Sequence, residues 1–240
     1  MTATPATDAT ADVELFFDPV CPFCWVTAQW LWKVERLADI RVEWRFISLA
    51  LLNDRPGAYD GASAAYPQVH GLGRRLLRVA AATREQHGRE AVGRIYRAFG
   101  EALWERDVAG VENFDDILEV QARGIDVAAA LSVADLPASL ETAMDDEHLD
   151  EIVARDTREA LDRVGDDVGT PILSFSPPDG PAFFGPVISE VPDDEDAVAF
   201  FEAMTTLARM PGFAEIKRTL RSVPVTALTR PLVGDTLRVS

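Results

Sequence analysis

The sequence predicts an α/β fold in which a βαβ unit and a ββα unit, far apart in the chain, combine into one sheet around a long all-helical insertion. Three observations carry this. A short apolar strand pattern at 13–17 runs into a helical pattern at 22–37 and then into an alternating strand at 41–48. From residue 72 about a hundred residues follow with helical periodicity and no convincing strand. The β pattern then returns at Thr170, followed by a hairpin and a last helix.

The first strand, VELFF, is short and apolar and is closed by Asp18-Pro19. The helix after it sets Phe23, Val26, Trp30, Val34 and Leu37 along one stripe, with Trp25, Ala28 and Trp32 on another side. A helix apolar on two sides is covered on two sides. In the next strand Val42, Trp44 and Phe46 alternate with charged residues, and Leu49–Leu52 is expected to extend the apolar run. Strand, helix and strand in this order form a right-handed βαβ unit.

Residues 53–71 read as a loop lying over a site, rich in Pro, Gly, Ala, Ser and Tyr. Helices are expected at 72–87, 91–104, 114–122, 128–133, 137–144 and 149–164, punctuated by Gly88, Gly110, Gly124 and Pro137. Strands at 171–176 and 182–185 flank the turn Pro177-Pro178-Asp179-Gly180 and make an antiparallel hairpin. Acidic residues 193–196 open a final long helix, where negative charge complements the helix dipole. A short helix at 213–220 and a loose end are expected after it. This is a thioredoxin fold (βαβ…ββα) with a large all-helical insertion: 13–54 and 165–220 form the split fold, 55–164 the insert, 1–12 a disordered tail and 221–240 a C-terminal tail.

The chain has 240 residues, 48% hydrophobic and 26% charged, enough for a sizeable core. Lys and Arg number 23 against 40 Asp and Glu; the resulting net charge of −17 excludes nucleic acid and anionic membranes as expected partners. No run of 18 apolar residues exists, and the start lacks the basic and apolar regions of a signal peptide. A cytoplasmic protein is expected. Walker, GxGxxG, HExxH and GxSxG patterns are missing, so nucleotide and metal chemistry have no support.

Both cysteines lie in Cys21-Pro22-Phe23-Cys24, between the first strand and the first helix. Across the first turn of a helix they share a face, and a disulfide between them needs only a rotamer change. The first thiol sits where unpaired backbone N–H groups and the dipole favour a thiolate, and Pro22 suits the first helical position. Cys21 is therefore expected as the exposed attacking thiolate and Cys24 as the more buried resolving thiol. Two unrelated core cysteines or half a zinc site are the competing readings. Zinc needs two more ligands, and His70, His87 and His148 have no finger-like spacing. A cytosolic dithiol is held mostly reduced, which favours a reductase. Asp18 adds a negative charge three residues before Cys21 and should raise its pKa, so a value below that of free cysteine but well above about 3.5 is expected.

Thr170-Pro171 opens the third strand after Gly165-Asp166-Asp167-Val168-Gly169. Proline is permitted at the first residue of a strand because it forfeits no central ladder bond. Two readings stand: an ordinary trans proline, or a cis bond whose loop faces Cys21 and turns the backbone of Thr170 toward substrate.

With CPFC after a strand, an inserted helical run and GTP before a third strand, the chain resembles the DsbA family of thioredoxin-fold oxidoreductases. More narrowly, FFDPVCPFCW, WRFISLALLN, VGDDVGTP and AFFGPVISEVP resemble the actinobacterial mycothiol-dependent nitroreductases. The resemblance implies Cys21 as nucleophile, Cys24 as resolving thiol, Pro171 as a cis proline and Thr170 as its substrate-facing partner. It also makes Asn53 a site-lining candidate and leaves Tyr59 and Tyr66 as alternative candidates for a lid tyrosine. Pro22, Phe23 and Trp25 join the expected substrate contacts, with core packing as the competing role of Trp25. The chain departs from the family in two ways. Phe23 stands where oxidants place a histidine, and Leu15 stands at the buried-acid position six residues before the first cysteine. Proton transfer at Cys24 must then use water or another group, and Glu14 should point to the opposite face.

The expected function is a thiol-disulfide oxidoreductase re-reduced by mycothiol or another small thiol, acting on disulfides or small electrophiles such as nitroaromatic compounds, with no tightly bound cofactor. A homodimer is admitted as its assembly. A kappa-type glutathione transferase or hydroxychromene carboxylate isomerase shares the split fold, but such enzymes generally do without the second cysteine. A redox-switched chaperone-like binding module would need an exposed apolar groove.

Overall fold

The computed structural model describes residues 11–234 and 236–238. Strand β1 (Val13–Phe17) is buried along its whole length and lies at the centre of a four-stranded sheet of order β2-β1-β3-β4. β2 (Val42–Phe46) is parallel to it, joined through helix α1 (Pro22–Ala38); β3 (Ile172–Phe175) is antiparallel, and β4 (Ala182–Phe184) pairs antiparallel with β3. Sequence segments more than a hundred residues apart thus share one ladder, Leu15 facing Trp44 on one side and Leu173 on the other.

The period of two divides the strands between two faces. Leu15 and Phe17 of β1 and Trp44 and Phe46 of β2 enter the main core, while Phe16 packs with Ala160 on the other face. There Glu14 joins Arg45, Arg163, Glu159, Asp156 and Arg84 in a largely buried ion network. The opposite orientation of Glu14 and Leu15 follows from this alternation.

Between β2 and β3 run helices α2 (Leu49–Leu52), α3 (Tyr66–His87), α4 (Arg89–Trp104), α5 (Phe114–Ala122), α6 (Val127–Val133), two short 3₁₀ segments (Ala138–Asp145, Glu147–Leu149) and α7 (Asp150–Val164). Helix α8 (Asp194–Ala208) follows β4, capped by the Asp193 side chain. Helix α1 is covered on two sides, as its two apolar stripes require. Trp30 packs on Phe200 of α8 and donates its indole N–H to the Ala197 carbonyl, while Trp25 and Trp32 turn toward Tyr96 of α4. No described helix is long and apolar enough to cross a membrane.

Helix α4 approaches this aromatic cluster through glycines on the same side as Tyr96. A Cβ on Gly100 would lie 2.1 Å from the Trp25 ring, and one on Gly93 would lie 2.7 Å from the Trp44 indole nitrogen. Gly100→Ala is therefore expected to destabilise the fold by roughly 3 kcal/mol, the upper range for overpacking a rigid core. Chemical denaturation reads the loss.

Several expectations are corrected. Leu49–Leu52 does not extend β2: Ser48 caps a helical turn through its hydroxyl, and the Leu49 N–H is taken by Asp18. The loop after Asn53 is shorter than expected, because α3 begins at Tyr66 with Pro67 in its first turn and carries Gly71 and Gly73 inside the helix. The helix expected at 213–220 is absent. Strand β5 (Leu220–Ser222) instead pairs with β6 (Thr236–Arg238). Nor is the C-terminal segment loose: Val223, Leu228 and Leu232 are buried, and the Leu228 N–H bonds to the Trp104 carbonyl. Apolar residues too sparse to show periodicity dock here one at a time. The expected N-terminal tail lies outside the described residues except for Ala11 and Asp12; the Asp12 backbone bonds to Arg41 and Ser176.

Three arginines of α3 are paired with carboxylates, Arg78 buried, Arg74 half-buried and Arg75 exposed. Arg74 and Arg78 bind Asp150, and Arg75 binds Asp145, tying α3 to the first residue of α7 and to the 3₁₀ segment before it. Edge strand β2 also has side-chain partners: its Val42 N–H donates to Glu35 at 2.9 Å and its Phe46 N–H to Asp156 at 3.3 Å.

Candidate active site

Three hydrogen bonds fix the turn between β1 and α1 and the helix that follows it. The Cys21 N–H bonds to the Asp18 carbonyl, the Trp104 indole donates to the Pro19 carbonyl, and the Thr27 hydroxyl donates to the Pro186 carbonyl. Cys21 itself is the N-cap of α1, with extended backbone, and Pro22 begins the helix. Its sulfur accepts the Cys24 N–H at 3.4 Å, so a thiol does the work usually done by a Ser or Asp cap. Both thiols are free.

The Thr170–Pro171 peptide bond is cis. This loop stands against the dithiol: the Cys21 thiol makes a long contact of 3.9 Å to the Thr170 carbonyl oxygen. Thr170 is buried, and Cys21 is only 5% exposed, less open than the reading of an exposed thiol expects. The cap geometry that favours a thiolate also turns the sulfur onto its own helix and the facing loop. Cys24 is fully buried.

The two thiols are electrostatically unequal. Burial alone would raise the pKa of Cys21, but hydrogen bonds from the Cys24 thiol, Thr170 and the Cys24 backbone N–H bring it below the ordinary thiol value. Asp18 opposes that shift. Burial, together with its hydrogen bond to Cys21 and the charge there, pushes Cys24 well up. One thiol is prepared to ionise while the other keeps its proton.

Asp18 is the residue beside the dithiol whose burial the sequence conceals. It is fully buried, its carboxylate accepts the N–H groups of Val20 at 3.1 Å and Leu49 at 2.8 Å, and a Cβ on Gly73 would fall 2.5 Å from Oδ1. Burial raises its pKa to about 7, against those two backbone hydrogen bonds. In sequence it reads as a strand terminator beside proline; its enclosure depends on α2 and α3, which no local pattern brings there.

The remaining expected residues are dispersed in role. Pro22 and Phe23 are half-buried beside the dithiol. Trp25 is 2% exposed, and its indole N–H donates to Glu105 at 2.8 Å, leaving little of it for a substrate. Asn53 caps α2 and donates its amide to the Leu49 carbonyl. Tyr59 and Tyr66 both meet His70, the first by a hydrogen bond of 2.9 Å and the second edge-on.

A dithiol at a helix N-terminus, facing a proline-led strand in this split sheet, defines a thiol oxidoreductase of the DsbA-like thioredoxin fold. The chain belongs to the Rv2466c-like family, whose model is described as mycothiol-dependent nitroreductase Rv2466c and matches residues 20–218. It is 26% identical over 220 residues to the uncharacterized protein Rv2286c of Mycobacterium tuberculosis, covering 92% of this chain and 87% of that one. Among solved structures, a 2-hydroxychromene-2-carboxylate isomerase aligns with a TM-score of 0.50 at 16% identity, covering 82% of this chain and 96% of that one. The probable DsbA oxidoreductase SCO1869 of Streptomyces coelicolor gives 0.48 at 19% identity, with 90% and 98% covered. The cytosolic disulfide reductase DsbM of Pseudomonas aeruginosa gives 0.44 at 15%, with 81% and 98% covered.

Proposed function

We propose that the protein is a cytoplasmic dithiol reductase in which residues 13–54 and 165–220 carry the chemistry and 55–164 enclose it. The Cys21 thiolate attacks a disulfide R–S–S–R′, forming a Cys21–S–S–R mixed disulfide and releasing R′S⁻. Cys24 then displaces RS⁻, leaving the Cys21–Cys24 disulfide. Two molecules of a small thiol, mycothiol in the family reading, return the pair to dithiol and leave as their own disulfide. With a nitroaromatic substrate the same two electrons and two protons convert the nitro group to nitroso plus water. Thr170, Pro171, Pro22 and Phe23 border the attacking sulfur, with Asn53 as a further site-lining candidate and Trp25 as support beneath. The observation that carries this reading is the Cys21 sulfur at the N-cap of α1, accepting the Cys24 N–H and set against the cis Thr170–Pro171 loop, with Cys24 enclosed one turn further in. A metal or tightly bound cofactor has no part in the scheme.

Intact-mass analysis of the Cys24→Ser variant after incubation with an actinobacterial cell extract tests it. Without the resolving thiol, an adduct on Cys21 persists. The mass of a small thiol is the expected result; protein-sized adducts identify protein disulfides as substrates instead. An accessible Cys21 that gains nothing overturns the assignment.

A further inference from the structure

The chain has five tryptophans, and three of them satisfy their indole N–H inside the protein: Trp25 donates to Glu105, Trp30 to the Ala197 carbonyl and Trp104 to the Pro19 carbonyl. The other two, Trp32 of α1 and Trp44 of β2, have no indole hydrogen bond among the described residues. Both line one groove of about 1060 Å³ between the outer border of β2 and α4. A buried indole N–H usually finds a partner, and one left unpaired is costly. Trp44 is only 5% exposed, so its donor is not an ordinary surface group. Its indole nitrogen faces Gly93 of α4, where a Cβ would stand 2.7 Å away and cover it; glycine leaves it within reach of the groove. The Trp32 and Trp44 rings lie 4.7 Å apart, and the Arg97 guanidinium of α4 covers the Trp32 ring at 4.4 Å. Arg97 and Arg94 are exposed on the groove wall and form no ion pair among the described residues; Arg94 gives its Nε to the Ala134 carbonyl.

We propose that this groove binds a planar aromatic monoanion, in chemical class an aryl carboxylate, at a site separate from the dithiol. The carboxylate accepts the Trp44 indole N–H and pairs with Arg94 and Arg97, while the ring lies on Trp32, where the Arg97 guanidinium now rests. The unused groups at the centre of the groove are all donors: an indole N–H only donates, and a guanidinium has no acceptor. A ligand that satisfies them is rich in acceptors, and the exposed indole face selects a flat ring over a chain. Glu90 and Glu101 stand one helical turn beyond Arg94 and Arg97, and the whole chain carries −17, so a second negative charge on the ligand is repelled. An extended peptide is the poorer occupant, because Val42 and Phe46 have already given their outward N–H groups to Glu35 and Asp156. Trp32 lies about 16 Å along α1 from Cys21, so the ligand does not touch the sulfur and the inference stands apart from the thiol chemistry.

Titration of the isotope-labelled full chain with 2-naphthoate, followed on the indole N–H resonances by proton–nitrogen NMR, tests the proposal. The Trp32 and Trp44 resonances, assigned from Trp32→Phe and Trp44→Phe, are expected to move along one saturating curve with a midpoint at or below ~1 mM, and those of Trp30 and Trp104 to stay in place. Should Trp44→Phe not fold, triple-resonance assignment of the wild type supplies the same identification. Arg97→Gln changes an exposed side chain and is expected to weaken binding at least ~fivefold. 2-Naphthylmethanol, which keeps the ring and lacks the charge, and octanoate, which keeps the charge and lacks the ring, are each expected to bind at least ~tenfold more weakly. No saturating shift at Trp44 overturns the proposal, as does wild-type affinity in Arg97→Gln. Octanoate or the neutral alcohol binding as well as naphthoate removes the aromatic anion from it and overturns it too. Shifts confined to Trp25 and Trp104 put the ligand at the dithiol and overturn the separate site.

Discussion

Cys21→Ser is expected to lower the rate of disulfide reduction by at least ~10³-fold, because a hydroxyl at the same helix terminus remains protonated and no other described thiol can begin the reaction. Cys24→Ser differs in kind: attack and adduct formation survive, and turnover stops at the mixed disulfide. Rapid-mixing absorbance of thiolate release distinguishes them, with no burst from the first variant and one equivalent from the second. Equal bursts would refute the assignment of roles. The distinction arises from position alone: Cys21 is the cap of α1 and touches Thr170, whereas Cys24 is enclosed one turn further in.

Asp156→Ala should reduce stability by about 3–5 kcal/mol, the usual result of removing one partner from a buried ion network. Asp156 is 1% exposed and accepts hydrogen bonds from Arg84, from Arg45 and from the Phe46 N–H. Its removal leaves two guanidinium groups short of a buried counter-charge and leaves Glu159–Arg45 as the remaining ion pair between α7 and β2. The same residue predicts the acid limb of stability. Burial pushes its pKa up, but Arg84 and Arg45 outweigh burial and hold it below the ordinary 3.8. A depressed carboxyl stabilises the fold above its unfolded value and loses that contribution as pH falls through the folded one. Urea midpoints between pH 5 and 2 should therefore fall more steeply for wild type than for Asp156→Asn.

Period and punctuation made most of the framework legible. Residues 114–122 were delimited by helical periodicity to the residue, and alternation assigned Glu14 and Leu15 to opposite faces. Leu49–Leu52 misled because a four-residue apolar run fits strand and helix alike, and what settles it is Ser48 capping the turn. The Cys21 and Cys24 positions were legible from spacing. The cis Thr170–Pro171 loop facing Cys21 was legible through the family resemblance, but the enclosure of Asp18 was not, since Leu49 and Gly73 arrive from separate parts of the chain. Tyr96 looked like any aromatic in a helix; only tertiary packing reveals a hydroxyl without a partner.

The outer border of β2 has a bearing on how this molecule behaves in a crowd. A bare edge strand invites another chain to add to it. Here Val42 and Phe46 have already given their outward N–H groups to carboxylates, so a visiting strand meets occupied donors and negative charge. These guards yield at different acidities. Burial raises the pKa of Glu35, whereas two arginines keep that of Asp156 low. Mild acid thus neutralises the carboxylate at Val42 first, and self-association during storage or passage through acidic conditions should begin at that end of the strand.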